Sequence, residues 1–439
     1  MEASPRKVLF VMHNHPVVRP GGAEGYALDV YDALRAQGRF EPLVLARTER
    51  STSLGASFHE GTPITAIEGD PNQYFLQTSL SEWEWLFGRY HDKTALTRSY
   101  RDFLLAQRPD VVHFQHTIFI GYDIVRVTRN TLPDAPIVYT LHEYMPICYR
   151  GGQMVRTIGN DLCREESPRR CHECFPDHSM QEFFMRKRFI QSHLSLVDLF
   201  LTPSAYARER YIDWGIPADR IEVMDHGFKP MASVADSAAD DAPRNRFGFF
   251  GQFTPYKGAD VLLEAMKVLG ERFDGHLWVY GANLEMQPHE FKQKLESLLA
   301  STGTTVTIGG SYDHSELPGL MSLIDWVVIP SIWWETGPLV VNEAFMHGRP
   351  VICSDIGGMS ERVTHDVNGL HFRRADPDDL ADTMRTAAAT AGLWERLREG
   401  IPPVQTMDAH AETITRMYED LLGKQGTASG HAIPHAAGL

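Results

Sequence analysis

Residues 326–343 read Trp-Val-Val-Ile-Pro-Ser-Ile-Trp-Trp-Glu-Thr-Gly-Pro-Leu-Val-Val-Asn-Glu. The apolar run Trp326–Pro330 has the length and composition of a buried strand, and Leu339–Phe345 opens an apolar-periodic helix. Between them Pro338 suits the first helical position, where a missing N–H costs nothing. A strand that feeds a helix start through a tight turn is the repeating unit of a parallel α/β sheet. The free amides at Gly337, Leu339 and Val340 form an anion site at the positive helix end, with Thr336 beside them. Glu335 precedes those amides and Glu343 follows a turn and a half later. The pair can hold hydroxyls on either side of a diphosphate, the order of parts in a sugar nucleotide. The plainer reading is a surface glutamate near a cap and an ordinary helical one; the flanking segments decide against it.

The same alternation runs along most of the chain. Lys7–Asn14 is an apolar run ending in polar residues, followed by Gly21-Gly22 and a helix whose apolar face is Ala27, Val30, Tyr31 and Leu34. Further strands are expected at Pro42–Ala46, Asp110–His116, Pro136–His142, Leu199–Pro203 and Ile221–His226, with helices such as Thr94–Gln107 and Met180–Leu196 between them. Lys229–Asn245 is rich in Ala, Ser and Asp without periodicity and reads as a linker. Alternation restarts at Phe247 and continues past Asp378. The expected organisation is an acceptor-binding Rossmann-like domain over 1–228, a linker over 229–245 and a nucleotide-sugar-binding Rossmann-like domain over 246–405. A helix over 406–423 packs back on the first domain, and 424–439 is a disordered tail. Ligands of such sheets bind beyond the carboxyl ends of the strands.

Bulk properties agree. The 439 residues exceed one ordinary core. A composition of 43% hydrophobic and 23% charged residues is that of a soluble globular chain. A formal charge of −15 argues against a mainly electrostatic nucleic-acid binder. No apolar run reaches the ~20 residues of a membrane span, and Met1–Lys7 leads straight into a strand without a secretory pattern. A cytoplasmic protein is expected.

Taken together, Gly21-Gly22-Ala23-Glu24, Pro203-Ser204, Gly251-Gln252 with Lys257-Gly258, Pro330-Ser331 with Glu335 and Glu343-Ala344, and Gly357-Gly358 with Asn368-Gly369 resemble glycosyltransferase family 4, in order, from about Lys7 to about Leu422. The resemblance implies the two-domain GT-B fold and retaining transfer from a nucleoside-diphosphate sugar. By position, it implies that Lys257 pairs with the donor diphosphate, Glu335 holds donor-sugar hydroxyls and Glu343 holds the ribose diol. Gly309–Tyr312 then lies at the nucleobase, and Gly21 and Gly22 allow close backbone approach. Gln252 stands where the family carries an arginine, so diphosphate binding leans on Lys257 and the helix amides. Gln115 stands where many members carry a functional histidine. His113 and His116 flank it on opposite faces of the strand, and alternation exposes only one face to the cleft; His116, nearer the carboxyl end, is favoured over His113 as the catalytic acceptor-side residue, with a packed, satisfied histidine the alternative reading for either. His142-Glu143 closes the next strand in the same way.

Retention without a motif-supported nucleophile fits a front-face route, in which positioning and stabilisation of the departing diphosphate dominate. No Asp-x-Asp pair sits at a strand end, so no catalytic metal is expected. Glu335 and Glu343, on one element, are poorly placed for double displacement. The acceptor is expected to be a hydroxyl of a glycan, a lipid-linked saccharide or a small metabolite. The alternatives are a nucleotide-sugar hydrolase or epimerase of the same fold and a non-catalytic nucleotide-sugar-binding protein.

Four of the five cysteines, Cys148, Cys163, Cys171 and Cys174, fall in a 27-residue stretch, within an irregular insertion over about 145–178. In a chain without an export signal, that cluster is expected to hold structural zinc, with an iron–sulfur cluster or free thiols as alternatives. The stretch Phe183–Ile190 mixes basic and apolar residues. It reads either as a buried face with a solvated basic edge or as a peripheral bilayer contact.

Overall fold

The computed structural model describes residues 5–19, 21–49, 63–91, 93–231, 243–281, 283–303 and 305–428. The first lobe is built from β1 (Arg6–Met12), β2 (Phe40–Glu49), β3 (Ile64–Ile67) and β4 (Asp70–Thr78), then a small hairpin, β5 (Trp83–Glu84) and β6 (Arg89–Tyr90), and β7 (Val111–Phe114), β8 (Ile137–Thr140), β9 (Leu199–Thr202) and β10 (Ile221–Val223); the short central strands β7, β8 and β9 are buried on both faces. The main sheet has the order β10-β9-β8-β7-β1-β2-β4-β3. Every pairing in it is parallel except β3 with β4. Helices α1 (Gly22–Gln37), α2 (Thr94–Gln107), α3 (Asp123–Thr131), α4 (Pro168–Cys174), α5 (Met180–Leu194) and α6 (Ala205–Trp214) connect the strands. The face of α1 expected to be apolar is buried: Ala27, Val30, Tyr31 and Leu34 are all at 0% exposure.

The second lobe repeats the scheme. Strands β11 (Arg246–Phe250), β12 (His276–Tyr280), β13 (Val306–Gly310), β14 (Trp326–Ile329), β15 (Val351–Ser354) and β16 (Gly369–Phe372) form an all-parallel sheet in the order β13-β12-β11-β14-β15-β16. Its helices are α7 (Ala259–Leu269), α8 (His289–Ser301), α9 (Leu317–Ser322), α10 (Leu339–Met346), α11 (Gly357–Arg362), α12 (Pro377–Ala389) and α13 (Leu393–Glu399). Two doubly wound domains are therefore present. Strand order reverses between β7 and β1 in the first lobe and between β11 and β14 in the second, and clefts at such reversals are where ligands sit.

The last helix, α14 (Met407–Ala428), returns to the first lobe. Its Met407, Ala411, Ile414 and Tyr418 join the core made by Val8, Phe10 and Val44. The helix runs past Lys424, and residues 429–439 of the proposed tail lie outside the described residues, as do residues 232–242 of the proposed linker. Side chains also tie the lobes together. The Glu361 carboxylate accepts from the Ala205 and Tyr206 amides at 2.8 Å each. The Arg362 guanidinium donates to both oxygens of Asp225 and to the Pro203 carbonyl. No described helix is long and apolar enough to cross a membrane.

Candidate active site

The donor-side turn is assembled from two strand ends. After β11, Gly258 adopts φ 69°, and a Cβ there would stand 1.9 Å from the Pro330 carbonyl oxygen at the end of β14. A side chain is excluded by that contact, and the contact seats the β11–α7 turn on the β14 exit. Lys257 is thereby carried to Glu335: Nζ donates to Oε1 at 2.6 Å. The same oxygen accepts from Ser331 Oγ at 2.7 Å and Trp333 Nε1 at 2.9 Å. Glu335 is 5% exposed, and such burial is tolerable because three donors, one charged, meet the carboxylate. The ammonium keeps further N–H donors for an incoming anion. Gln252 is exposed and takes no part in this contact. Pro338 is the N-cap of α10, at φ −66° and ψ 115°, rather than its first helical residue; the amides of Leu339 and Val340 remain in the first turn.

Further along α10, Glu343 Oε1 pairs with His314 Nε2 at 3.2 Å. The Glu343 hydrogen bond raises the His314 pKa against the opposing effect of burial. Burial raises the Tyr312 phenol, and the Tyr312 ring stands 5.9 Å from Phe250 and 6.3 Å from Tyr280. A Cβ on Gly309 would meet the Tyr280 ring at 2.4 Å. Opposite, the Gly21-Gly22 turn closes on α10: a Cβ on Gly22 would stand 3.0 Å from Leu339 Cδ1. Thr336 Oγ1 donates to the His142 carbonyl at 2.7 Å, and Gly337 presses on Pro203 and Arg362. These contacts bring Gly22, Lys257, Glu335, Thr336 and Leu339 together where the lobes meet.

On the first lobe, the ends of β1, β7 and β8 bring two carboxylate–imidazole pairs together. His116 Nε2 lies 3.1 Å from Glu143 Oε1. Its Nδ1 accepts from the Ile118 amide at 3.0 Å, so Nε2 carries the proton that faces Glu143. The His13 ring is 4.4 Å from that of His116, and its Nε2 lies 3.0 Å from Glu24 Oε1. Burial alone would raise the Glu24 pKa, but the His13 hydrogen bond and charge hold it below the usual carboxylate value. Burial pushes His13 down. Neither His13 nor Glu24 was singled out from sequence, although His13 ends the first strand and Glu24 closes the Gly-Gly-Ala-Glu motif. Ser331 and Trp333 were likewise missed.

Two acceptor-side expectations are corrected. His113 is at 0% exposure, with Nδ1 2.6 Å from Tyr418 Oη and Nε2 2.7 Å from Thr140 Oγ1. Burial drives its pKa down to about 3. The returning helix α14 covers the face on which His113 points, so it is a core residue. His142 is also turned inward: its Nε2 lies 2.9 Å from Gln115 Oε1, its ring stacks on His226 at 5.7 Å, and burial pushes its pKa well below normal. It backs the site while its carbonyl holds Thr336.

The expectation of structural zinc or an iron–sulfur cluster finds no support in the described residues. Among the described residues, no set of three or more His, Cys, Asp or Glu side chains is placed to hold a metal ion, and Cys148, Cys163, Cys171 and Cys174 are free. Burial raises the Cys148 thiol to about 11 and the Cys171 thiol to about 12. Cys163 Sγ donates to the Glu165 carbonyl at 3.2 Å. Guanidinium groups hold the loop instead. Arg186 donates to the Met145, Pro146 and Ile147 carbonyls, and Arg150 to those of Val155 and Arg156. On α5 the basic–apolar stretch is split: Phe183, Arg186 and Ile190 are buried, whereas Phe184 and Met185 are 51% and 55% exposed.

Comparison with known proteins agrees with the two-lobed fold. The family model described as Glycosyltransferase Family 4 matches residues 20–230, and that described as Glycosyl transferases group 1 matches 244–390. An uncharacterized glycosyltransferase of Methanocaldococcus jannaschii is 33% identical over 178 residues, 38% of this chain and 44% of the relative, so the chain spans less than half of that protein. A glycogen synthase of Mycobacterium tuberculosis is 24% identical over 415 residues, 93% of this chain and 92% of the relative. Among solved structures, a sucrose-phosphate synthase from Thermosynechococcus elongatus superposes with a TM-score of 0.69 at 18% identity, covering 95% of this chain and all of that one. The Anabaena protein HepE in complex with UDP and glucose gives 0.61 at 17%, covering 97% and 98%.

Proposed function

Because this chain belongs to glycosyltransferase family 4 and has the GT-B fold, we propose that it moves a sugar, with retention, from a nucleoside-diphosphate sugar to a hydroxyl of a glycan, a lipid-linked saccharide or a small metabolite. The observation that carries the reading is the Lys257–Glu335 contact at 2.6 Å, set at a helix start that faces the Gly21-Gly22 turn of the other lobe. In this reading the Glu335 carboxylate holds donor-sugar hydroxyls, and Glu343 takes the ribose diol in exchange for His314. Lys257 and the Leu339 and Val340 amides neutralise the departing diphosphate. The bond between the anomeric carbon and the phosphate oxygen breaks as the acceptor oxygen bonds on the same face. The freed phosphate oxygen then takes the acceptor's proton. That route uses the cleft's own cation and dipoles, and asks no catalytic metal of the protein. His116 and Glu143 orient the acceptor hydroxyl from the first lobe, with His13 and Glu24 behind them. UDP and glucose in the Anabaena neighbour support a nucleotide-sugar donor.

The test is a thermal-shift screen with UDP-, GDP-, ADP- and dTDP-sugars, since a ligand of the native state raises apparent stability, followed by turnover with and without candidate acceptors. One donor class stabilises the protein, and sugar leaves it only when an acceptor is present. Release independent of any acceptor would assign hydrolysis instead, and tight binding without turnover a binding protein.

A further inference from the structure

The loop between β8 and α5 forms a half-open cavity of about 240 Å³ lined by Arg156, Asp161, Leu162, Cys163, Arg164 and Arg170. Three guanidinium groups and one carboxylate in so small a wall are unusual for a loop that merely covers a core. Two of the arginines are partly engaged. Arg156 holds Glu173 at 2.7 Å and Arg170 holds Glu165 at 3.1 Å, and neither glutamate lines the cavity. Arg164 makes no ion pair or side-chain hydrogen bond among the described residues, and Arg156, whose guanidinium also meets the Cys174 side chain, leaves its Nε without a hydrogen-bond partner. An N–H group left unpaired inside a protein is costly unless something else occupies it. Asp161 faces Arg374 of the second lobe, whose Nη2 also donates to the Asn160 carbonyl at 2.6 Å.

Position gives the cavity a role. The carbonyl of Cys163, in its wall, accepts from Trp334 Nε1 at 3.1 Å, and Trp334 is the residue before Glu335. The cavity therefore abuts the segment that presents the donor sugar. Guanidinium forks match phosphate and carboxylate oxygens, and a lone carboxylate beside them suits a sugar hydroxyl. We propose that this cavity is an acceptor subsite for an acidic sugar unit, a sugar phosphate or a uronic acid, whose anion is held by Arg156, Arg164 and Arg170 and whose hydroxyl is held by Asp161. The inference rests on the transferase reading above and specifies the acceptor's chemical class within it.

The experiment uses the full chain, as wild type and as the Arg164→Ala/Arg170→Ala double variant. Binding of glucose 6-phosphate, glucuronate, glucose and inorganic phosphate is measured by calorimetry, alongside UDP, ADP and GDP. Glucose 6-phosphate or glucuronate, whichever matches the native acid, binds the wild type at least about tenfold tighter than glucose, and the double variant loses that advantage. The nucleotide that binds the wild type binds the variant equally, which shows that the variant is folded. Three results overturn the subsite: equal affinity for glucose and both acids, no binding of either acid, or acid binding unchanged in the double variant. If inorganic phosphate binds as tightly as glucose 6-phosphate, the cavity takes a bare anion and the sugar part of the inference falls. Failure of every nucleotide to bind the wild type would instead sink the transferase reading itself.

Discussion

Lys257→Ala removes an ammonium but leaves the Glu335 carboxylate in place, fixed by Ser331 and Trp333. The two charges stand 2.6 Å apart, with side chains 35% and 6% exposed, so a bound diphosphate feels both. At an effective dielectric of about 20, a unit charge about 4 Å from a phosphoryl oxygen contributes about 4 kcal/mol. Solvent at the exposed lysine reduces this to about 2 kcal/mol, or roughly thirtyfold in Kd. The carboxylate, one ion-pair length further back at about 6 Å, opposes by about 3 kcal/mol before screening and about 1.5 kcal/mol after it, roughly tenfold. The two substitutions are therefore expected to act in opposite directions on diphosphate affinity. Calorimetry with the nucleoside diphosphate that binds best should show Lys257→Ala weakened about thirtyfold. The Lys257→Ala/Glu335→Ala double variant should recover about tenfold of that loss. Glu335→Ala alone should bind the diphosphate at least as well as wild type while losing its preference for the sugar-bearing form. A double variant weaker than Lys257→Ala would mean that the two groups do not share one anion, and the assigned donor site would be wrong.

Three other outcomes follow from the same geometry. The His314 pKa is raised above its ordinary 6.5 by Glu343, so the pair's stabilisation is fully present below that value and is lost as pH rises through the raised one. His314→Gln should lower Tm at pH 5.5 and leave it unchanged at pH 8.5; an equal loss at both would show the contact is not ionic. His113 and His226, each held near 3 by burial, stay neutral when folded, while the unfolded chain protonates them below 6.5. Each therefore costs about 1.4 kcal/mol at pH 5.5; His142 and His410, lowered by burial in the same way, add to this, and urea titrations should find the protein less stable there than at pH 7.5 by at least about 3 kcal/mol. A flat profile would place these rings in water. Gly258→Ala forces a side chain into a left-handed backbone and against the Pro330 carbonyl. It should cost about 3 kcal/mol and weaken diphosphate binding by displacing Lys257; neutral stability would show that the turn is not seated on β14.

Much of this protein was legible locally. Strand, turn and helix start over residues 326–343 follow from apolar runs, a proline and glycine, and those are properties of neighbouring residues. The alternation of such units implied two parallel sheets, and the sequence also put Glu335 and Glu343 on either side of one helix start, as α10 has them. Strand periodicity also put His113 and His116 on opposite faces. Which face opens to the cleft was decided elsewhere, because Tyr418, 305 residues away, caps His113 from α14. Likewise, the meeting of Lys257 with Glu335 depends on Gly258 lying against Pro330, a contact between separate strand ends. Cysteine spacing suggested a metal, but among the described residues the loop, held by Arg150 within it and Arg186 from α5, offers no set of three ligands to one ion. Backbone pattern is set by residues a few positions apart. Burial, charge pairing and ligand geometry are set by whatever the folded chain brings alongside, and for those the tertiary structure was decisive.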